Sequence, residues 1–255
     1  MMPRKDGTGD VRNIVAGIGN FLLPPRCALC AVTVTRAPAL CGSCWEGLTF
    51  IEGPVCARTG APLPYDLGPQ TVSLGAMIRP PAYDVARAAL SYDATARELI
   101  KKLKFANRPE LAAMMVPWMY RAGRDILEDA DCLLPVPLHW TRLLARRYNQ
   151  SAELGRGLAR LGNVALRVDV LKRVKRTRQQ VGLTRPMRKK NLQGAFAVAK
   201  SRRAVVTDRH VVLVDDVLTT GATVEACAKV LRRAGAAKVS VLTVARVVMP
   251  ERVHI

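Results

Sequence analysis

The stretch that decides the fold is VVLVDDVLTTGATVEACAKVL, running from Val211 to Leu231. Val211-Val212-Leu213-Val214 reads as a central strand, apolar because both of its faces are covered. Asp215 and Asp216 follow, which places them at the carboxyl end of that strand, where open α/β sheets bind ligands. Thr219-Thr220-Gly221-Ala222-Thr223 then turns into a helix. Backbone N–H groups at such a turn, with the helix N-terminus behind them, cradle an anion. The Thr hydroxyls add donors, and Gly221 lets the backbone come close. Two carboxylates beside an anion cradle pose an electrostatic contradiction. It resolves if the ligand carries a diol next to its phosphate, so that hydroxyls donate to the acids while the phosphate sits on the turn. An Mg²⁺ ion shared with a pyrophosphate supplies the remaining positive charge. Two other nucleotide sites are excluded. No G-x-x-x-x-G-K-[ST] exists, and Gly17 and Gly19 lack both a third glycine and a preceding strand.

Outward from this stretch the chain alternates strands and helices. Ala89 to Asp93 reads as a short strand and ATARELIKKLKF after it as a helix. Leu111 to Leu127 reads as a second helix, kinked or broken at Pro117. Cys132 to Pro137 is an apolar strand, followed by a helix carrying LLARRYNQSAELGRGLARLG. Ala195 to Val198 and Val239 to Val248 are further strands, and Val224 to Arg233 is a helix ended by Gly235. The alternation predicts an α/β fold with a parallel sheet covered on both faces. From Val168 to Lys190 acid is nearly absent while Lys and Arg accumulate, the pattern of a basic loop.

The N-terminal part has a different chemistry. Cys27 and Cys30 form one C-x-x-C pair, and Cys41 and Cys44 form another. Two such turns bring four thiolates to one tetrahedral Zn²⁺. Cys56 has no such companion, because Thr59 stands at the pairing position. It reads as the remnant of a degenerate second ribbon. Gly60 to Pro81 is Pro- and Gly-rich and reads as a connector, with no internal repeat beyond the doubled cysteine pair. Cys132 and Cys227 fall in apolar patterns and read as buried thiols.

The 255-residue chain is 49% hydrophobic and carries a net charge of +20. That balance favours a polyanionic partner: nucleic acid, a phosphate-rich small molecule or a membrane surface. Aromatic residues make up 5%, so any nucleic-acid contact is expected to be phosphate-dominated. No run reaches the roughly 18 apolar residues of a membrane span. Ile14 to Leu23 reads as a short amphipathic helix. Asn20 and Pro24-Pro25 argue against a cleaved signal, and a cytoplasmic chain is expected.

VLVDDVLTTGAT resembles the phosphoribosyl pyrophosphate (PRPP) motif of type I phosphoribosyltransferases. The resemblance widens with LLPVPLHWTRLLARRYNQSAELGRGLA (Leu133 to Ala159), RTRQQVGLTRPMRKKNLQGAF (Arg176 to Phe196) and the doubled cysteine pair. Together they resemble the ComF family, the competence-associated phosphoribosyltransferase-like proteins, from Phe21 to Val248.

The resemblance implies a zinc-ribbon module at 20–60, a connector at 61–88 and a phosphoribosyltransferase-like domain at 89–250. It implies that Asp215 and Asp216 bind ribose hydroxyls and that Thr219, Thr220, Gly221, Ala222 and Thr223 cradle the 5-phosphate. Pro137, Leu138 and His139 should face pyrophosphate, with Arg142, Arg146 and Arg147 within reach of it. Zinc would be structural, and Mg²⁺ would accompany PRPP. The implied reaction is phosphoribosyl transfer to a nitrogen acceptor, in a DNA-uptake setting. The alternative is a module without turnover that binds DNA or a helicase partner. Two departures stand out. Thr59 replaces a cysteine, so one zinc is expected, and Arg147-Tyr148-Asn149-Gln150 replaces the commoner R-G-F-N-Q, removing a glycine.

Overall fold

The computed structural model describes residues 24–106, 108–175, 187 and 191–248. The chain divides into two compact units, Met1–Gly47 and Leu48–Ile255. The first holds the short helix α1 (Gly42–Glu46). The second begins with a small ribbon ending in α2 (Leu74–Ile78) and continues into an α/β body. That body runs β1 (Val85–Ser91), α3 (Ala94–Phe105), α4 (Leu111–Ala122), α5 (Arg124–Leu127), β2 (Cys132–Pro135), α6 (Trp140–Arg146) and α7 (Gln150–Gly162). It continues through β3 (Ala165–Leu166), β4 (Leu171–Arg173), β5 (Phe196–Val198), β6 (His210–Leu218), α8 (Ala222–Arg233) and β7 (Lys238–Arg246).

Five strands form one parallel sheet in the order β1-β7-β6-β2-β3. A parallel sheet needs helical crossovers, and these cover both of its faces. Alternation along the strands divides the core. Val211, Leu213, Val239 and Val241 pack with Val224, Cys227 and Leu231 of α8 and with Phe196 of the antiparallel β4–β5 pair. The opposite face packs against α4 and α7. β6 is central and almost wholly buried. Cys132 and Cys227 are buried thiols, as expected.

Three expectations need correction. β6 does not stop at Val214. It continues to Leu218, so both aspartates are strand residues, with Asp215 opposite Thr243 of β7. Pro117 lies inside α4 without ending it, and the helix stops at Gly123. The run expected as one helix after β2 is two, α6 and α7, separated at Arg147–Asn149. Arg147 there has a φ of 65°. The left-handed conformation is one that glycine adopts without cost, so the glycine that this chain lacks matches a real backbone requirement. Asn149 then caps α7, its side chain accepting from the Ser151 amide.

Lastly, the connector contains an internal repeat: the degenerate second ribbon expected at Cys56 is present and extends through it. In the first unit Cys27 N donates to Val32 O at 2.7 Å, Ala28 N to Ala39 O at 2.9 Å and Val34 N to Pro25 O at 2.8 Å. In the second unit Cys56 N donates to Ala61 O at 2.8 Å, Ala57 N to Thr71 O at 2.8 Å and Leu63 N to Pro54 O at 2.9 Å. Each segment then ends in a five-residue helix, α1 or α2. The Cys41 amide lies 3.4 Å from Cys27 Sγ, and the Ser73 amide 3.3 Å from Cys56 Sγ. Cys56, Thr59, Ser73 and Ala76 therefore stand where the first ribbon has Cys27, Cys30, Cys41 and Cys44. Ile14 to Leu23 and the basic stretch from Arg176 to Lys190, apart from position 187, lie outside the described residues.

Candidate functional site

The site is built on β6, the turn after it, and the starts of α6 and α7. Asp215 Oδ1 accepts from Ser151 Oγ at 2.9 Å and from the Asp216 amide at 2.9 Å. Asp216 is 4% exposed. Its Oδ1 lies 2.7 Å from Lys104 Nζ, and its Oδ2 accepts from Gln150 Nε2 at 2.7 Å. The pair is thus not an exposed strand end. Burial, reinforced by the Asp216 charge, raises the Asp215 carboxyl to about 7, while Lys104 and the hydrogen bonds oppose the shift. Burial works to lower Lys104, but the Asp216 carboxylate outweighs it and holds the ammonium above its ordinary range.

The turn after β6 leads directly into α8. Gly221 has a φ of 78° and precedes the first helical residue, Ala222, with no side-chain cap on the helix amides. Thr220 Oγ1 is buried without a hydrogen-bond partner. A buried hydroxyl at an uncapped helix start suits an anion. Thr219 and Thr223 flank it in the same strand–turn–helix segment.

The loop after β2 holds the other expected residues. His139 is buried and caps α6, with Nδ1 3.0 Å from Thr141 Oγ1 and accepting from the Thr141 amide. Its ring is committed to the helix start. Pro137 and Leu138 line a cavity of about 590 Å³ together with Trp140, Tyr148, Arg156 and Lys172. Arg146 stacks its guanidinium over Phe105, 4.6 Å from the ring centroid. The structure thus gathers Asp215, Asp216 and the Thr-Gly turn on one segment, and gives His139 and Arg146 local packing partners. Sequence reading missed Lys104, Gln150 and Ser151. Lys104 sits in an alternating apolar and basic helix, where nothing in the pattern separates it from its solvated neighbours.

In the first ribbon the Sγ atoms of Cys27, Cys30, Cys41 and Cys44 all lie within 4.8 Å of one another. Thiolates at about 2.3 Å from a tetrahedral zinc are about 3.8 Å apart, so the four fit that ion. Burial raises the Cys27 thiol, but amides of Cys30, Cys41 and Leu29 outweigh it and bring it down to about 6. Burial and hydrogen bonds to the other thiols push Cys44 up to about 12. In the second ribbon an apolar cluster of Cys56, Leu63 and Ala76 takes the place of the ligand set.

A parallel sheet whose central strand carries an acidic pair and runs into a Thr-Gly turn, in a chain with a cysteine ribbon, defines a phosphoribosyltransferase-like protein with an N-terminal double zinc ribbon. Family models agree: the double zinc ribbon domain matches residues 18–73 and the phosphoribosyl transferase domain residues 150–251. The chain is 31% identical over 228 residues to competence protein F of Haemophilus influenzae, covering 87% of this chain and 96% of that one. It is 30% identical over 230 residues to the DNA utilization protein YhgH of Escherichia coli K12, covering 88% and 98%. It belongs to the competence protein F family. Among solved structures, the allosteric regulatory enzyme of purine biosynthesis is similar at 21% identity and a TM-score of 0.33, over 55% of this chain. The chain spans 25% of that enzyme's length. No helix among the described residues is long and apolar enough to cross a membrane.

Proposed function

We propose that the Leu48–Ile255 unit binds PRPP as its Mg²⁺ complex and transfers the phosphoribosyl group to a nitrogen acceptor. The observation that carries this reading is one strand–turn–helix segment with a carboxylate pair on the strand and an uncapped helix start after it, where Thr220 Oγ1 is buried and unpartnered. A 5-phosphate on the turn would satisfy that hydroxyl, and a ribose diol would donate to the acids. As the anomeric carbon–oxygen bond to pyrophosphate breaks, positive charge grows on the sugar ring. Fixed carboxylates beside the ring stabilise that charge without reorganising, and no covalent nucleophile is needed. Mg²⁺, when bound, offsets the negative charge of the pyrophosphate. The names of the relatives support a role in competence and DNA utilization for this chain as well.

Calorimetric titration with PRPP and Mg²⁺, followed by a screen of nitrogen bases for pyrophosphate release, tests the proposal. Saturable PRPP binding and release with one class of base are expected. Binding without release for any acceptor favours a module without turnover that contacts DNA or a helicase. Absence of PRPP binding overturns the reading.

A further inference from the structure

The two carboxylates are not equivalent. Asp216 is buried and has both oxygens engaged, Oδ1 by Lys104 Nζ and Oδ2 by Gln150 Nε2, each at 2.7 Å. Asp215 is less buried and is engaged through Oδ1 alone. No described residue donates to its Oδ2. Lys104 reaches the pair from the last turn of α3, where Leu99, Ile100 and Leu103 anchor the helix in the core. The Tyr148 hydroxyl donates to the Leu103 carbonyl, tying that helix end to the loop before α7. Gln150 and Ser151 lie in the first turn of α7. Two helices therefore converge on one acidic pair and treat its members differently.

We propose that Lys104 is a positioning residue of the ribose site: with Gln150 it fixes and neutralises Asp216 as a buried support, and leaves Asp215 as the carboxylate that meets the sugar diol. The proposal rests on the phosphoribosyl reading above. It also removes the electrostatic contradiction raised by the sequence, since one of the two negative charges beside the anion cradle is already paired within the protein. A buried carboxylate is tolerated only with such a partner. Gln150 Oε1 is buried without a partner, so the same amide that holds Asp216 keeps an acceptor available next to it. The charged and titratable groups around Asp215 are Asp216 on its own strand, Lys104 on α3 and Cys227 on α8, with neutral Ser151 on α7. Arg146 on α6 faces Lys104.

The test uses the full chain and the variants Asp215→Asn, Asp216→Asn, Lys104→Met, Lys104→Arg and Lys104→Met/Asp216→Asn. The first readout needs no ligand. Carbon-detected NMR follows the titration of the Asp215 carboxyl, expected near 7 in the parent protein. Lys104→Met removes a cation and should move the midpoint to higher pH. Asp216→Asn removes an anion and should move it to lower pH, and Lys104→Arg should restore the parent value. Opposite shifts show that both charges bear on Asp215, the premise of the positioning role, so shifts of one sign, or none, overturn it.

The second readout is PRPP–Mg²⁺ calorimetry. Asp215→Asn should weaken binding tenfold or more, whereas the paired Lys104→Met/Asp216→Asn variant, neutral and similar in shape, should lose less than threefold. A double variant as weak as Asp215→Asn would mean that Asp216 itself holds the sugar, and the division of labour fails. A parent protein that binds no PRPP overturns the phosphoribosyl reading and the sugar role of Asp215 with it. Opposite shifts in the carboxyl titration would still establish Lys104 as the residue that neutralises Asp216.

Discussion

The two ribbons share a backbone and differ in what fills it. Around Cys27 the knuckle amides, the crossing hydrogen bonds and the short helix converge on four thiols. Around Cys56 the same framework converges on one thiol and an apolar cluster of Leu63 and Ala76, with Ala61 and Val72 packed against it. The lone thiol keeps its amide donors. Burial raises it, but Ser73 and Thr59 bring it down to about 7. The ribbon backbone can thus be closed by a metal or by a small hydrophobic core. The second solution is open to a segment that packs within a larger body: the Arg58 carbonyl accepts from the Ala86 amide of β1, and Arg246 of β7 donates to the Thr59 carbonyl. A 47-residue unit has too small a core to do without a staple.

The largest expected contrast is between Cys27→Ser and Cys56→Ser. The first should take zinc from one per chain to none and unfold the first ribbon, since binding and folding are coupled in such modules. The second should leave zinc content unchanged and the second ribbon folded. Elemental analysis and amide-exchange protection of each ribbon read both outcomes. Equal losses from the two variants would end the comparison.

The ligand set should also be restorable. Thr59→Cys, Ser73→Cys and Ala76→Cys, combined with Cys56, would return four thiols to the second framework. The expected result is two zinc ions per chain instead of one. If the content stays at one, the two frameworks do not superpose closely enough to share a metal geometry.

Leu63→Ala probes what replaced the metal. Leu63 is buried in the second cluster, and its truncation should cost about 2–4 kcal/mol, within the range for buried leucines. Thermal unfolding should show the loss while zinc stays at one per chain. An unchanged melting temperature would mean that the apolar cluster does not hold the ribbon together.

A further pair of tests falls on the matched left-handed positions, Ala31 with φ 63° and Gly60 with φ 64°, the smallest effect being at Ala31. A Cβ at Gly60 would sit 2.3 Å from the Ala86 carbonyl oxygen. Gly60→Ala should therefore destabilise by more than about 1 kcal/mol. Ala31→Gly relieves a left-handed alanine but adds freedom to the unfolded chain, so its gain should stay below about 1 kcal/mol. Melting curves for the first, and chelator competition for zinc in the second, would reveal opposite signs. Two changes of the same sign would contradict the pairing of these positions.

By itself the sequence determined the features whose chemistry lies between neighbours in the chain. The apolar run into Asp215-Asp216 and the Thr-Gly turn is a strand, an acidic pair and a helix start within one segment. The cysteine knuckles likewise need only a short spacing to declare their geometry. What tertiary structure decided lies between residues far apart. Lys104 reads as one of several solvated lysines until α3 packs beside β6 and its ammonium meets Asp216. Gln150 and Ser151 read as interior residues of one longer helix until α7 starts at Gln150 and aims them at the two acids. Of its cysteines the second ribbon kept only Cys56, enough to mark a degenerate ribbon but not its extent, which the hydrogen-bond framework reveals. The extent of β6 was hidden for a related reason. Two acids look like the end of a buried strand, because a bare carboxylate in the interior is costly. The fold supplies Lys104 and Gln150, which offset that cost at Asp216, and the strand runs on through both acids.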